Sequence, residues 1–262
     1  MRAASSNASK LISAEDYAQK YLADMGFEHN LITARQDCCL EFLADCQPHT
    51  VLEVGCGPDL LIDRFDLAGS AIRKWVVVEP SSYADDFERR IKHSNKLALT
   101  RGYLEDQVPV LRDHLPGGFD AVLLSGLLHE TTQPANMLNA AHDLLRDGGH
   151  LFVSVPNANS FHRLLAVEMG MMDSPTQLSD RNLELGHPVV YNRESLTEVI
   201  EDAGFQPEQF SGYMFKPFSN GQMAAILKTI GDDVVDGLNS LGKIFPDNAA
   251  EIAISARKPV NS

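Results

Sequence analysis

Short apolar runs separated by helical periodicity fill the middle of this chain and restrict it to one class of fold. The runs at 50–54, 74–78, 96–100, 121–124 and 150–155 have strand length, and segments 60–67, 83–94, 108–114 and 134–145 between them carry helical spacing. Strands alternating with helices predict βαβ units around a parallel sheet. Right-handed crossovers then place helices on both faces, which makes the architecture α/β and doubly wound.

Two further helices are predicted ahead of the first strand. Leu11, Ile12, Tyr17, Tyr21 and Leu22 mark one at 11–25, and Leu31, Ala34, Cys38, Leu40, Phe42 and Leu43 mark another at 31–46, with Gly26 between them. Residues 1–10 are small and polar and read as a frayed start. After the fifth strand, 156–188 is longer than an ordinary connection. It mixes Asn157, Asn159, Gly170, Pro175 and Gly186 with an apolar stretch at 161–172. It is expected to form an insertion, part helix and part loop, over the carboxyl edge of the sheet. A helix at 194–203, a helical stretch at 222–241 and a final strand at 249–256 complete the pattern.

Hydrophobic residues make up 44% of the chain and charged residues 22%, enough for a full core. The net charge of −14, with no basic cluster, argues against a nucleic-acid partner, because neutralising phosphates takes clustered Lys and Arg. Cys38, Cys39, Cys46 and Cys56 form no CxxC pair and no Cys/His set with zinc spacing, so no metal site is expected. No secretory apolar core and no run of about 20 apolar residues is present, which points to a cytoplasmic chain without a membrane partner.

The segment Val54-Gly55-Cys56-Gly57-Pro58-Asp59 follows the first strand and reads as a tight turn into a helix. Gly55 and Gly57 let the backbone approach a ligand, and Pro58 suits a first helical turn. The dinucleotide fingerprint needs a further glycine where Leu60 stands, and no phosphate-loop GxxxxGK[ST] occurs. Glu53, two residues before Gly55, can meet a cationic group. Glu79 ends the second strand about 20 residues later, where an acid accepts hydrogen bonds from ribose hydroxyls.

Residues 50–155 resemble the core of class I S-adenosylmethionine-dependent methyltransferases, particularly their small-molecule branch. Val51–Gly57 is similar to that family's first motif, and Glu79 stands at its ribose-binding acid. Arg101-Gly-Tyr-Leu-Glu-Asp106 resembles the adenine-framing segment, 119–130 resembles motif IV, and 144–151 resembles the signature before the fifth strand. A third glycine often stands where this chain has Asp59, a departure at the methionine-tail contacts. The resemblance implies a Rossmann-like, mostly parallel seven-stranded sheet, with a helical lid at 1–46, the cofactor domain at 47–262 and an acceptor-site insertion at 157–190. It implies S-adenosylmethionine as cofactor, bound by Glu53, Gly55, Cys56, Gly57, Asp59, Glu79, Pro80, Ser81, Tyr103, Leu104, Glu105 and Ser125.

Methyl transfer from a sulfonium needs alignment above all, and a hydroxyl acceptor also benefits from a base. His129, just after the fourth strand, and His187 and Tyr191, in a segment similar to a "GH..Y" element of the same branch, are the candidate catalytic residues. His162, in the insertion, is a lesser one. Tyr17 and Tyr21 would lie across the cofactor mouth, and Met169, Met171 and Met172 would line the acceptor pocket. The expected reaction methylates O or N of a small molecule: a sugar, an amino acid or a natural-product intermediate of secondary metabolism. A homodimer is left open. An NAD-type oxidoreductase and a non-catalytic binding module on the same fold remain the alternatives.

Overall fold

A computed structural model describes residues 12–23, 26–92 and 94–260. Leu11, Met25 and the start at 1–10 therefore lie outside the described residues. The N-terminal helices are α1 (Ala14–Ala23) and α2 (Glu28–Cys46). There follow β1 (Thr50–Val54), β2 (Lys74–Glu79), α3 (Tyr83–Ile91), β3 (Leu97–Arg101), α4 (Leu104–His114), β4 (Phe119–Ser125), α5 (Pro134–Leu144) and β5 (Leu145–Pro156). The second half holds α6 (Phe161–Glu168), α7 (Asp180–Leu185), α8 (Arg193–Asp202), β6 (Gln206–Tyr213), α9 (Asn220–Ile230), α10 (Asp233–Ile244) and β7 (Glu251–Arg257).

The seven strands form one sheet in the order β3-β2-β1-β4-β5-β7-β6. Pairings among β1 to β5 are parallel, and β7 runs antiparallel between β5 and β6. Both faces are buried, as the continuous apolar runs require of a parallel sheet. On one face Leu52, Val76, Leu124 and Val153 meet α4, α5 and α8 through Leu111, Leu138 and Ile200. On the other, Val51, Trp75, Leu123 and Phe152 meet α2, α3 and α9 through Leu43, Phe87 and Met223. The chain winds outward from β1 through β2 to β3 and returns at β4 on the other side of β1. That reversal opens a crevice at the carboxyl ends of β1 and β4, the place where open α/β sheets bind ligands.

Several predicted elements change. The helix expected at 60–67 is a single 3₁₀ turn, Leu61–Arg64. Leu60, Leu61 and Ile62 are all buried. Three consecutive buried positions point around an α-helix rather than along one face, so an amphipathic helix cannot satisfy them. Pro58 therefore does not open a helix, and the glycine loop is followed only by that single turn. The single stretch at 222–241 is two helices, α9 and α10, broken at Gly231, which has φ +83°. α4 begins earlier than expected, at Leu104, and carries Pro109 in its interior.

Leu124 has no exposed surface and packs between β1, β5 and α5. Leu124→Ala is expected to lower unfolding free energy by about 2–5 kcal/mol. A loss of less than about 1 kcal/mol in urea unfolding would show that the packing around Leu124 collapses into the cavity.

Candidate functional site

Five strand ends converge at the crevice. Gly55 and Gly57 follow β1, Glu79 ends β2, Tyr103 follows β3, Ser125 ends β4 and Pro156 ends β5. They border one cavity of about 1280 Å³. Single-ligand pockets run to roughly 300–1,000 Å³, so this volume leaves room for a cofactor and a second molecule. Every cofactor residue predicted above lines it: Glu53, Gly55, Cys56, Gly57, Asp59, Glu79, Pro80, Ser81, Tyr103, Leu104, Glu105 and Ser125. His129, His162 and His187 line it as well.

Glu79 organises the cofactor end. It is 4% exposed, and one carboxylate oxygen accepts the backbone N–H of Cys56 at 3.0 Å. The other accepts the Ser81 N–H at 2.8 Å and the Ser81 hydroxyl at 2.6 Å. The carboxylate thus ties the glycine loop of β1 to the end of β2 through charge-assisted bonds. Gly55 and Gly57 adopt φ +72° and +62°, which a side chain resists. A Cβ on Gly55 would sit 3.0 Å from Leu127, whereas one on Gly57 would project into open cavity. That bare backbone beside a ribose-type acid fits S-adenosylmethionine. Tyr103, 52% exposed, flanks the same wall.

Glu53 borders the cavity but gives one oxygen to the Trp75 indole N–H, at 2.8 Å. Burial, opposed by that bond, pushes its carboxyl up to about 8. The Asp59 carbonyl accepts a hydrogen bond from the Gln36 amide at 2.6 Å, which fixes the loop beyond Gly57.

At the other end, His129 lies in a 3₁₀ turn, Leu128–Glu130, and His187 follows the left-handed Gly186 cap of α7. Their rings meet edge to face with centroids 4.5 Å apart. Burial drives His129 well below the usual imidazole range, and burial with Arg181 takes His187 to about 4. Both imidazoles are neutral at ordinary pH. The Tyr17 hydroxyl donates to Glu130, whose half-buried carboxyl is pushed up to about 8 by desolvation. Tyr191 is corrected. It is 3% exposed, sits in the core with Leu196 and Ile200, and does not line the cavity. A bridge between Tyr191 and Asn157 instead holds the start of the insertion against the α8 entry.

Three groups escaped the sequence. Arg35 of α2 forms a two-pronged ion pair with Glu251 of β7, and Tyr213 donates to the same carboxylate at 2.6 Å. Lys216 is 7% exposed, bonds Asn220 at 2.5 Å and is lowered to about 8 by burial. Glu130 stood beside His129 in a quoted motif and was not singled out. Arg35 and Glu251 are 216 positions apart, so no spacing rule could join them.

Four contacts carry α1 across the opening. Glu15 accepts the Ser82 N–H at 3.1 Å, and Tyr83 donates to the Ala18 carbonyl at 3.1 Å. Lys20 donates to the Glu184 carbonyl at 3.2 Å, and Tyr17 reaches Glu130. Arg163, Met169 and Met172 of the segment after β5 line the facing wall beside Pro156 at the strand's end.

The raised Glu53 carboxyl sets a pH dependence. In the unfolded chain it ionises near 4.5, while in the folded chain it keeps its proton to about 8. Stability from this group is complete below the first value and is lost as pH rises through the second. Glu53→Gln keeps an acceptor for Trp75 and removes the titration. Its stability relative to wild type is expected to grow across that window in urea unfolding, and a constant difference would contradict the assignment.

The methyltransferase domain family matches residues 27–209. Among curated proteins, the ubiquinone biosynthesis O-methyltransferase of Azotobacter vinelandii is 32% identical over 118 residues, 45% of this chain and 48% of the relative. The chain thus spans about half the length of that relative. The enzyme of the same name from Ralstonia nicotianae is 26% identical over 172 residues, 64% of this chain and 68% of the relative. Among solved structures, the 1,6-didemethyltoxoflavin-N1-methyltransferase of Burkholderia thailandensis superposes with TM-score 0.55 at 15% identity, covering 92% of this chain and 87% of that one. The N-methyltransferase NodS of Bradyrhizobium japonicum superposes with TM-score 0.54 at 13% identity, covering 95% and 100%. With its sheet and glycine loop, the chain belongs to the methyltransferase domain family and carries the class I, Rossmann-like fold.

Proposed function

We propose that the chain transfers a methyl group from S-adenosylmethionine to an oxygen of a small molecule. The observation that carries this reading is one continuous cavity, with the Gly55–Gly57 backbone and Glu79 at one end and two neutral imidazoles at the other. The cofactor supplies an activated methyl on a sulfonium, so the protein's share is binding, alignment and exclusion of water.

Glu79 would accept the ribose hydroxyls in exchange for the Ser81 hydroxyl and the Cys56 thiol, the two of its four donors that can rotate away. Tyr103, Leu104 and Glu105 would frame the adenine beside Pro80 and Ser81. Glu53 and Asp59 would face the ammonium of the methionine tail, near Ser125. The segment 157–190 would form the acceptor wall and the helices of 1–46 the lid, since α1 already bonds both rims. Oxygen is the acceptor atom in this reading because the two neutral imidazoles can accept a hydrogen bond from an alcohol or phenol and so orient its lone pair. The name O-methyltransferase on the curated relatives agrees. A sugar, amino acid or natural-product intermediate fits a single cavity that the cofactor residues also line. All four thiols are free, in keeping with a cytoplasmic setting. Among the described residues no helix is long and apolar enough to cross a membrane.

Calorimetry with S-adenosylhomocysteine and with NAD tests the donor. S-adenosylhomocysteine is expected to bind and NAD to fail; binding of NAD alone would replace methyl transfer by redox chemistry, and binding of neither would leave a non-catalytic module. Glu79→Ala is expected to weaken S-adenosylhomocysteine by about tenfold or more, the worth of one charge-assisted hydrogen bond. Unchanged affinity in that variant would move the cofactor elsewhere.

A further inference from the structure

Three imidazole nitrogens bordering the cavity are left unsatisfied, on His129, His162 and His187, and the first and last of these rings touch. His129 Nδ1 and His187 Nε2 make no hydrogen bond, although the residues are 5% and 7% exposed. An unpaired buried polar atom costs about 1–3 kcal/mol, so two on rings in edge-to-face contact point to a ligand that satisfies them. A single water would relieve them, but a third group narrows the choice. Glu130 stands beside both, and one donor atom from each of His129, Glu130 and His187 lies within 4.8 Å of the others.

Two imidazoles and one carboxylate are the ligand set of divalent transition ions that keep open positions for substrate. Ligand bonds of about 2.0–2.2 Å bring donor atoms closer than that spread, so side-chain rotation of roughly an ångström would complete the set. Tyr17 donates to Glu130 and orients its carboxylate, as partners of metal ligands commonly do. Arg35 is the nearby cation, and its charge is held by Glu251. All three ligands border the cavity, so vacant coordination positions would face the acceptor.

We propose that His129, Glu130 and His187 form a site for a divalent transition cation that binds and acidifies the acceptor hydroxyl. The place of the acceptor rests on the methyl-transfer reading above; the ligand set does not. Coordination lowers the hydroxyl pKa, and its proton leaves to water. The oxygen lone pair then forms the new O–CH₃ bond while the S–CH₃ bond breaks with its electrons remaining on sulfur. S-adenosylhomocysteine is released, and nothing is oxidised or reduced. This site reverses the expectation of no metal, which rested on cysteine spacing and on sequence-local His.

The test uses the full chain, stripped with a chelator and titrated with Co²⁺ by its visible absorption. One Co²⁺ per chain is expected. Tyr17→Phe should weaken binding by about 10–100-fold, the usual effect of losing a ligand's partner, and His187→Gln or Glu130→Gln by more than that. S-adenosylhomocysteine calorimetry on each protein reports folding and the cofactor site separately. Wild type that binds S-adenosylhomocysteine but not Co²⁺ overturns the metal site and leaves methyl transfer standing. So does Co²⁺ binding that neither His187→Gln nor Glu130→Gln weakens. Co²⁺ binding without S-adenosylhomocysteine binding would retain the site and overturn the donor.

Discussion

The Glu79 carboxylate, holding Cys56 and Ser81 by four hydrogen bonds, is the interaction on which the site depends. The glycine loop has no helix behind it to stiffen it, since the segment after Asp59 makes only one 3₁₀ turn. The Cys56 bond and the Gly55 N–H to the Val78 carbonyl, at 2.8 Å, take the place of that helix and hold the loop to β2. A buried carboxylate satisfied by fixed donors is preorganised, so ligand binding there need not first assemble the site. The same oxygens hold the loop and border the cavity, so in the proposed function one residue would serve as both cradle and recognition element.

The acceptor side depends on a different device. Arg35, Glu251 and Tyr213 join α2, β7 and β6 at the edge where the sheet turns antiparallel. A buried ion pair contributes little net stability over apolar packing, and its loss leaves an uncompensated charge. Its effect here is positional: it seats α2, and α2 with α1 borders the cavity mouth. The acceptor end thus carries buried polar groups where apolar packing would otherwise serve. Functional sites are where such local departures concentrate.

Much of the cofactor half was legible because its signals are local. Gly55, Gly57 and Glu79 sit at strand ends that periodicity locates, and parallel register carries those ends to one edge. The helix expected at 60–67 failed because hydrophobic count stood in for hydrophobic phase, and Leu60, Leu61 and Ile62 are buried on every side. Tyr191 failed because an aromatic beside a candidate histidine looks the same in sequence whether it faces the cavity or the core. The acceptor half was mostly hidden. Lys216, Arg35 and the meeting of His129 with His187 depend on contacts between distant segments, which no spacing rule encodes. Glu130 was adjacent to a chosen residue, yet only the fold shows that it turns toward the same point.

The central claim is that Glu79 and the bare backbone at Gly55–Gly57 orient the methyl donor toward His129, Glu130 and His187. A crystal structure of the S-adenosylhomocysteine complex tests it most directly. The account predicts ribose hydroxyls on the Glu79 carboxylate and the thioether sulfur turned toward the two imidazoles. A ligand whose ribose lies away from Glu79, or whose sulfur points away from His129 and His187, would contradict it.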